Sequence, residues 1–287
     1  MLYPSSRQGL TVLAVVRGAA IAAFQALVHN WGASPEASEA QLSLARLLEF
    51  TGRYEEAFRE YQYWLEHYGS AGGGPFGYAD VVAAQFACAN QIRTMVTASP
   101  WSPSHELAAA MFGRIAENAP DGERAAESVF LQAACLELAG EDDRAKAVYD
   151  RLVVKYPGGD LAASARYRSA FCRARLSDGA PNDERTLANA LAALRSALAA
   201  APDSPDAPRA SELLRDLSAR QSAQAFERAS FYDRIRRNPE AAALAYRDFL
   251  RRHSDAAEAP RARERIAEIE AVSPAAAADG IAADRVR

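Results

Sequence analysis

The sequence predicts an all-α protein built from repeated helical hairpins. Its segments are rich in Ala, Leu, Glu and Arg, and their apolar residues recur at intervals of three and four. Two stretches, residues 52–69 and 140–157, place Gly, Ala, Tyr and a final Tyr at the same offsets. A helix that recurs in this way buries its apolar face only against its neighbours, so we expect an α-solenoid.

The repeated helix is defined by an Ala, a larger side chain four positions later and a closing residue eleven positions later. These offsets place the three side chains on one stripe of a helix, with the small Ala where a neighbouring helix approaches. Spacings of 37 to 52 residues between copies exceed the tetratricopeptide period of about 34, so about five to six hairpins with extended turns are predicted. The six sets are Ala20/Phe24/Trp31, Ala57/Tyr61/Tyr68, Ala108/Phe112/Ala119, Ala145/Tyr149/Tyr156, Ala190/Leu194/Ala201 and Ala242/Tyr246/His253.

A second Ala follows most copies near the start of the next helix. It lies five residues beyond the turn position in five of the six copies, and the copy ending at Tyr68 is the exception because the glycine-rich stretch 70–77 intervenes. We interpret that stretch as a flexible joint before a helix that begins near Tyr78. The five residues are Ala37, Ala125, Ala162, Ala207 and Ala259.

The solenoid is expected to occupy residues 15–270. Residues 1–14 form an N-terminal extension, a remnant of a targeting segment, and the Ala-rich residues 271–287 are expected to be a disordered tail. The apolar stretch 10–28 has the length of a membrane span, but Arg17 lies near its middle. We therefore interpret it as a repeat helix rather than an anchor or a degraded signal peptide.

The charge balance disfavours nucleic acid as the main partner. The chain has 33 basic and 37 acidic residues and a formal charge of −4. Residues 35–68 are acidic, whereas the last copy carries an arginine cluster. These charged segments are interpreted as solvent-exposed helix faces. The alternative is that the two ends of the solenoid bind different partners. The cluster comprises Arg234, Arg236, Arg237, Arg251 and Arg252.

No constellation of residues predicts catalysis, a cofactor or a metal. The three cysteines, Cys88, Cys135 and Cys172, lack a CxxC spacing and are interpreted as small buried core thiols. The four histidines lie at predicted helix ends, and none stands in the sequence context of a nucleophile. The protein is therefore predicted not to be an enzyme.

Several segments resemble BamD (ComL, YfiO), a family of tetratricopeptide-repeat lipoproteins of outer-membrane β-barrel assembly. The segment YQYWLEHYG, residues 61–69, is followed by VVAAQFACANQIRT, residues 81–94, which resembles the long third-unit helix of that family. Residues 102–128 resemble its next unit, and residues 229–269 resemble its closing unit. The likeness covers roughly residues 15–270.

The resemblance implies a non-catalytic scaffold of the Bam machinery. Its partners would be the periplasmic part of the barrel component, other Bam subunits and unfolded outer-membrane proteins, with peripheral membrane association. Family members carry a lipidated Cys after their signal, whereas the first cysteine here is Cys88. The expected location is the periplasmic face of the outer membrane, or the cytoplasm if no export signal lies upstream.

Partner binding is expected on the first helix of each pair, which lines the groove of such solenoids. The candidates in the early hairpins are Arg46, Glu49, Gln85, Asn90 and Arg93.

Two other binding functions stay open. One is a periplasmic repeat protein that coordinates cell-envelope and peptidoglycan processes, although that family adds an N-terminal coiled coil and no sustained heptad precedes the first copy. The other is a cytosolic adaptor or co-chaperone, whose usual Lys/Arg/Asn carboxylate grip is weak here because Lys146 and Lys155 are the chain's two lysines.

Overall fold

The computed structural model describes residues 7–32, 34, 36–69, 77–95 and 104–272, and this part of the chain contains helices joined by turns and short connections. The described residues form twelve helices and no strand, which confirms the predicted all-α class. The helices are α1 (Arg7–Trp31), α2 (Ala37–Phe50), α3 (Tyr54–His67), α4 (Tyr78–Met95), α5 (His105–Asn118), α6 (Ala125–Leu138), α7 (Asp142–Lys155), α8 (Asp160–Gly179), α9 (Glu184–Ala200), α10 (Ala207–Arg234), α11 (Pro239–Arg252) and α12 (Ala259–Val272).

Within the described part, consecutive helices pack as the hairpins α2/α3, α4/α5, α6/α7 and α10/α11, and α9 packs against α10. The twelve helices of this part are consistent with the predicted five to six helical pairs. The chain divides into two compact units, residues 1–172 and 173–287. Residues 1–6 of the expected N-terminal extension, 70–76 of the glycine-rich joint and 273–287 of the expected tail lie outside the described residues, whereas residues 7–14 of the expected extension belong to α1.

The predicted stripe is the core of the hairpins. The anchor alanines of α3, α5, α7, α9 and α11 are all 0% exposed, and the larger residues four positions later are at most 2% exposed. An Ala at these positions lets the backbone of the adjacent helix approach, and the larger side chain fills the space beside it. The five alanines predicted near the starts of the following helices are buried as well.

The first copy of the stripe does not follow the pattern. Trp31 is 62% exposed, and Ala20 and Phe24 are only half-buried. Helix α1 packs against α2, and Ile21 is the buried residue among its described side chains. An interior helix has neighbours on two sides, so the same spacing buries its stripe there and leaves it partly open in α1.

Two hairpins turn through a left-handed glycine. Gly52 between α2 and α3 has φ +78°, and Gly140 between α6 and α7 has φ +80°. In each turn the amide after the glycine donates to the carbonyl five residues back, Arg53 to Leu48 and Glu141 to Leu136, both at 2.9 Å. This is a Schellman-type helix end, and it brings the last turn of the first helix against the second helix.

No helix in the described part of the chain combines the length and the apolarity that a membrane crossing requires.

Candidate partner-binding surface

The first helices of successive hairpins lie side by side in the first unit. Burial, and after it the negative charge of Glu49 on α2, raise the pKa of the Cys88 thiol on α4 to about 12. Burial also raises the pKa of Cys135 on α6 to about 11, and the positive charge of Arg93 on α4 opposes this shift. Glu49 on α2 is therefore within electrostatic range of the Cys88 thiol on α4, and Arg93 on α4 is within range of the Cys135 thiol on α6.

The next first helix continues the row. Arg168 on α8 donates to Glu137 on α6 at 3.4 Å between Nη1 and Oε1. We call the surface formed by α2, α4, α6 and the part of α8 up to residue 172 the first-helix surface.

The predicted residues on α2 surround a buried tyrosine. The hydroxyl of Tyr61 on α3 donates to Glu49 Oε2 at 2.8 Å. The pKa of Tyr61 is raised well above its usual value, first by burial and then by the bond to Glu49, while the charge of Arg46 lowers it. Arg46 is exposed and Glu49 is half-buried. Glu49 therefore holds the α2/α3 hairpin together, and Arg46 presents its charge to solvent.

Gln85 was predicted to line the groove, but its side chain is 0% exposed. Its Nε2 donates to Gln62 Oε1 on α3 at 2.9 Å, and its Oε1 accepts from Asn118 Nδ2 on α5 at 2.9 Å. Asn118 also donates to Gln62 at 2.7 Å. Gln85 is thus part of a buried amide network between three helices, and a partner on the surface does not reach it.

Asn90 and Arg93 lie together on the accessible side of α4. Asn90 Oδ1 accepts from Arg93 Nε at 3.1 Å and from Nη2 at 2.7 Å, and both residues are half-buried. These two hydrogen bonds fix the plane of the Arg93 guanidinium, and its Nη1 takes no part in them. A fixed guanidinium plane suits recognition of a carboxylate, because less side-chain entropy is lost on binding.

Sequence reasoning missed a repeated tyrosine–carboxylate pair. Tyr149 on α7 donates to Glu137 on α6 at 3.0 Å, as Tyr61 does to Glu49. In the second unit Tyr246 reaches Asp233 at 3.4 Å, and Arg265 on α12 donates twice to the same carboxylate, at 2.6 and 2.8 Å. The signal was present in the sequence, since a carboxylate stands 12 or 13 residues before each of these tyrosines.

The arrangement provides charged groups on a helical surface. Along α2, α4, α6 and α8 the first-helix surface carries Arg46, Glu49, Arg93, Glu137 and Arg168, and the carboxylates of Glu49 and Glu137 are bonded to Tyr61 and Tyr149. The cysteines are free and buried as predicted, and the raised pKa values of Cys88 and Cys135 keep these thiols protonated at neutral pH. Among the described residues, no group of three His, Cys, Asp or Glu side chains could hold a metal ion.

Comparison with known proteins identifies the class of fold. Residues 127–159, which cover α6, α7 and the turn that follows, match the family model "Tetratricopeptide repeat". Residues 127–159 therefore resemble a tetratricopeptide repeat, and they lie within an all-α array of helices that is consistent with a solenoid of such repeats. No curated protein matches the sequence significantly.

Two solved structures show the degree of similarity to other repeat proteins. One is YrrB, described as a TPR protein with an unusual peptide-binding site, with 16% identity over 84% of this chain and 98% of that chain and a TM-score of 0.34. The other is a tetratricopeptide repeat protein from Parabacteroides merdae ATCC 43184, with 12% identity over 90% of this chain and 94% of that chain and a TM-score of 0.31. At these values neither structure indicates a ligand or a partner for this chain.

Proposed function

We propose that this protein is a non-catalytic scaffold that binds protein partners along its first-helix surface. The observation that carries the proposal is the row of arginines on the first helices, Arg46, Arg93 and Arg168, in which Asn90 orients Arg93 and Glu137 orients Arg168. Oriented charges on rigid helices favour selective docking, since a mismatched partner leaves them desolvated and unpaired.

We further propose that the partner is the periplasmic part of the barrel component of the outer-membrane assembly machinery, together with unfolded barrel substrates. The support is the sequence resemblance to BamD in segments 61–69, 81–94, 102–128 and 229–269. In this proposal the protein works at the periplasmic face of the outer membrane.

The general proposal is tested by photo-crosslinking in the native cell. A photoreactive amino acid at Arg46 or Arg93 is expected to capture a partner protein, whereas the same group at Arg59, an exposed arginine on the second helix α3, is expected to capture much less. Equal capture from all three positions would show that the first-helix surface is not the binding site.

The specific proposal is tested by cell fractionation and by identification of the crosslinked protein. We expect recovery with the outer membrane and adducts that contain the barrel component. Recovery only in the cytosol, or adducts with an unrelated protein, would reject the assembly role while leaving the scaffold proposal to be judged by the crosslinking pattern.

A further inference from the structure

The end of α10 and the turn that leads into α11 form an exposed projection of the second unit. Residues 234–240 are all exposed, and the described part of the chain contains no longer run of exposed residues. Within residues 231–238, Asp233 is the one side chain that is not exposed. We call residues 231–238 the α10 tip.

The backbone of the α10 tip is held by hydrogen bonds on both sides. The amide of Arg236 donates to the carbonyl of Phe231, and the amide of Asn238 donates to the carbonyl of Tyr232, both at 3.2 Å. Asn238 Oδ1 accepts from the amide of Ala241 at 3.0 Å and so caps α11. The tip therefore presents its side chains from a fixed backbone, which lowers the entropy that is lost on binding.

Three large apolar side chains lie together on the α10 tip. Phe231 is 45% exposed, Tyr232 is 44% exposed and Ile235 is 68% exposed. The two aromatic rings meet edge-on with their centres 6.0 Å apart. Ile235 follows Phe231 by four residues and so lies next to it on the same helix face.

Three arginines surround these apolar side chains. Arg234, Arg236 and Arg237 are exposed and form no hydrogen bond or ion pair within the described part of the chain. The Arg236 guanidinium lies 5.9 Å from the centre of the Phe231 ring. Positive charge and apolar surface are therefore in contact at the tip.

Nearby carboxylates leave the arginines of the tip unpaired. The carboxylate of Asp233 accepts two hydrogen bonds from Arg265 on α12. Glu227 and Glu240 are exposed, but both lie outside the tip. Glu227 is seven residues before Arg234, a distance of about 10 Å along the helix.

One of the arginines occupies a backbone conformation that suits glycine. Arg237 has φ +48°, whereas Gly52 and Gly140 are the left-handed residues in the turns α2/α3 and α6/α7. A Cβ disfavours this conformation, so the arginine is present at a conformational cost that glycine would avoid. Strain of this kind at an exposed position indicates that the side chain has a function.

The combination of shape and chemistry favours a bilayer surface as the ligand. The tip is a projecting helix end, whereas small molecules and peptides bind in concave sites. Aromatic and branched apolar side chains lie at the boundary between lipid headgroups and acyl chains. Arginines beside them pair with the headgroup phosphates and are attracted by anionic lipid.

We propose that the α10 tip docks on an anionic lipid bilayer. Its three apolar side chains enter the headgroup boundary, and its three arginines contact phosphates around them. This contact is additional to the protein binding on the first-helix surface and does not depend on which protein binds there.

The test is co-sedimentation of the full chain with lipid vesicles. Vesicles of equal parts phosphatidylglycerol and phosphatidylcholine are compared with vesicles of phosphatidylcholine alone. We expect binding to the anionic vesicles that weakens as salt is raised, and binding to the neutral vesicles that is at least about 10-fold weaker.

Variants locate the contact. Arg236→Gln/Arg237→Gln is expected to weaken binding by about 20-fold, since each arginine near an anionic surface contributes about 5-fold. Ile235→Ser is expected to weaken it by about 10-fold through loss of the inserted apolar group. The control Arg59→Gln/Arg185→Gln removes the same charge from exposed positions on α3 and α9 and is expected to change binding by less than about 2-fold.

A single substitution separates binding from folding. Arg237→Gly is expected to raise the melting temperature, because glycine adopts the left-handed conformation without strain. The same variant is expected to bind anionic vesicles about 5-fold more weakly. A more stable variant that binds less cannot owe its defect to unfolding.

The proposal is overturned by equal binding to both kinds of vesicle, by no binding to either, or by equal losses in the tip and control double variants. Normal binding by Ile235→Ser, together with competition by inorganic phosphate at constant ionic strength, would show a phosphate site instead. Capture of an acidic protein by a photoreactive group at Ile235, without vesicle binding, would assign the tip to a protein partner. The vesicles contain no protein, and Arg46 and Arg93 are unchanged, so these results are independent of the crosslinking on the first-helix surface.

Discussion

At the residue scale, side chains that look alike in the sequence have different tasks in the fold. Gln85 and Gln91 both lie on α4, yet Gln85 is 0% exposed within the network with Gln62 and Asn118, whereas Gln91 is exposed. A buried amide depends on its hydrogen bonds, because any donor or acceptor left unpaired keeps the full cost of its desolvation.

Gln85→Ala is therefore expected to lower the free energy of unfolding by about 2 kcal/mol, since it removes two interhelical hydrogen bonds and leaves a cavity. Urea denaturation followed by circular dichroism measures the change. Gln91→Ala is the matched control and is expected to change the stability by less than about 0.5 kcal/mol. Equal effects of the two substitutions would contradict the assigned roles.

At the element scale, the hairpin α2/α3 and the hairpin α6/α7 share one design. Each has a left-handed glycine at the turn, a carboxylate three residues before that glycine and a buried tyrosine nine residues after it. The turn fixes where the second helix begins, and this determines whether the tyrosine hydroxyl reaches the carboxylate. Turn and pair are therefore coupled parts of the same hairpin.

Gly52→Ala and Gly140→Ala are each expected to destabilise the protein by about 1 kcal/mol, because a Cβ disfavours the left-handed conformation. Gly18→Ala is the contrasting control. Gly18 lies within α1, a Cβ there meets no atom within 4 Å, and the change is expected to stabilise the helix by up to about 1 kcal/mol. Thermal and urea unfolding measure all three, and the same sign at Gly18 and Gly140 would refute the argument.

At the scale of the whole molecule, the reactivity of the three cysteine thiols measures the opening of one of the two compact units. Cys88, Cys135 and Cys172 are each 0% exposed, and all of them belong to the unit formed by residues 1–172. Burial raises the pKa of Cys88 to about 12 and that of Cys135 to about 11, so the reactive thiolate is scarce at pH 8. Reaction with a thiol reagent therefore requires this unit to open.

We expect a disulfide reagent such as DTNB to modify the native protein at pH 8 at least about 100-fold more slowly than the urea-unfolded protein, in which all three thiols react. The native rate should rise with urea in step with unfolding of residues 1–172. A thiol that reacts rapidly without urea would show that its helix opens locally.

Much of the repeat architecture could be predicted from the sequence, because the spacing of residues within each helix sets which side chains that helix buries. The Ala and the larger residue four positions later are buried in five of the six predicted copies, whereas the closing residues of those copies are half-buried. The pattern was wrong for Trp31, since position in the stack, rather than local spacing, decides whether a stripe is covered.

The candidate sites were less accessible to sequence reasoning. The sequence alone determined the all-α class, the hairpin repeat and the buried, unreactive character of the cysteines, because each follows from the periodicity and chemistry of neighbouring residues. Only the tertiary structure decided that Gln85 is buried while Arg46 is exposed. This difference depends on helix rotation, which packing between distant segments sets.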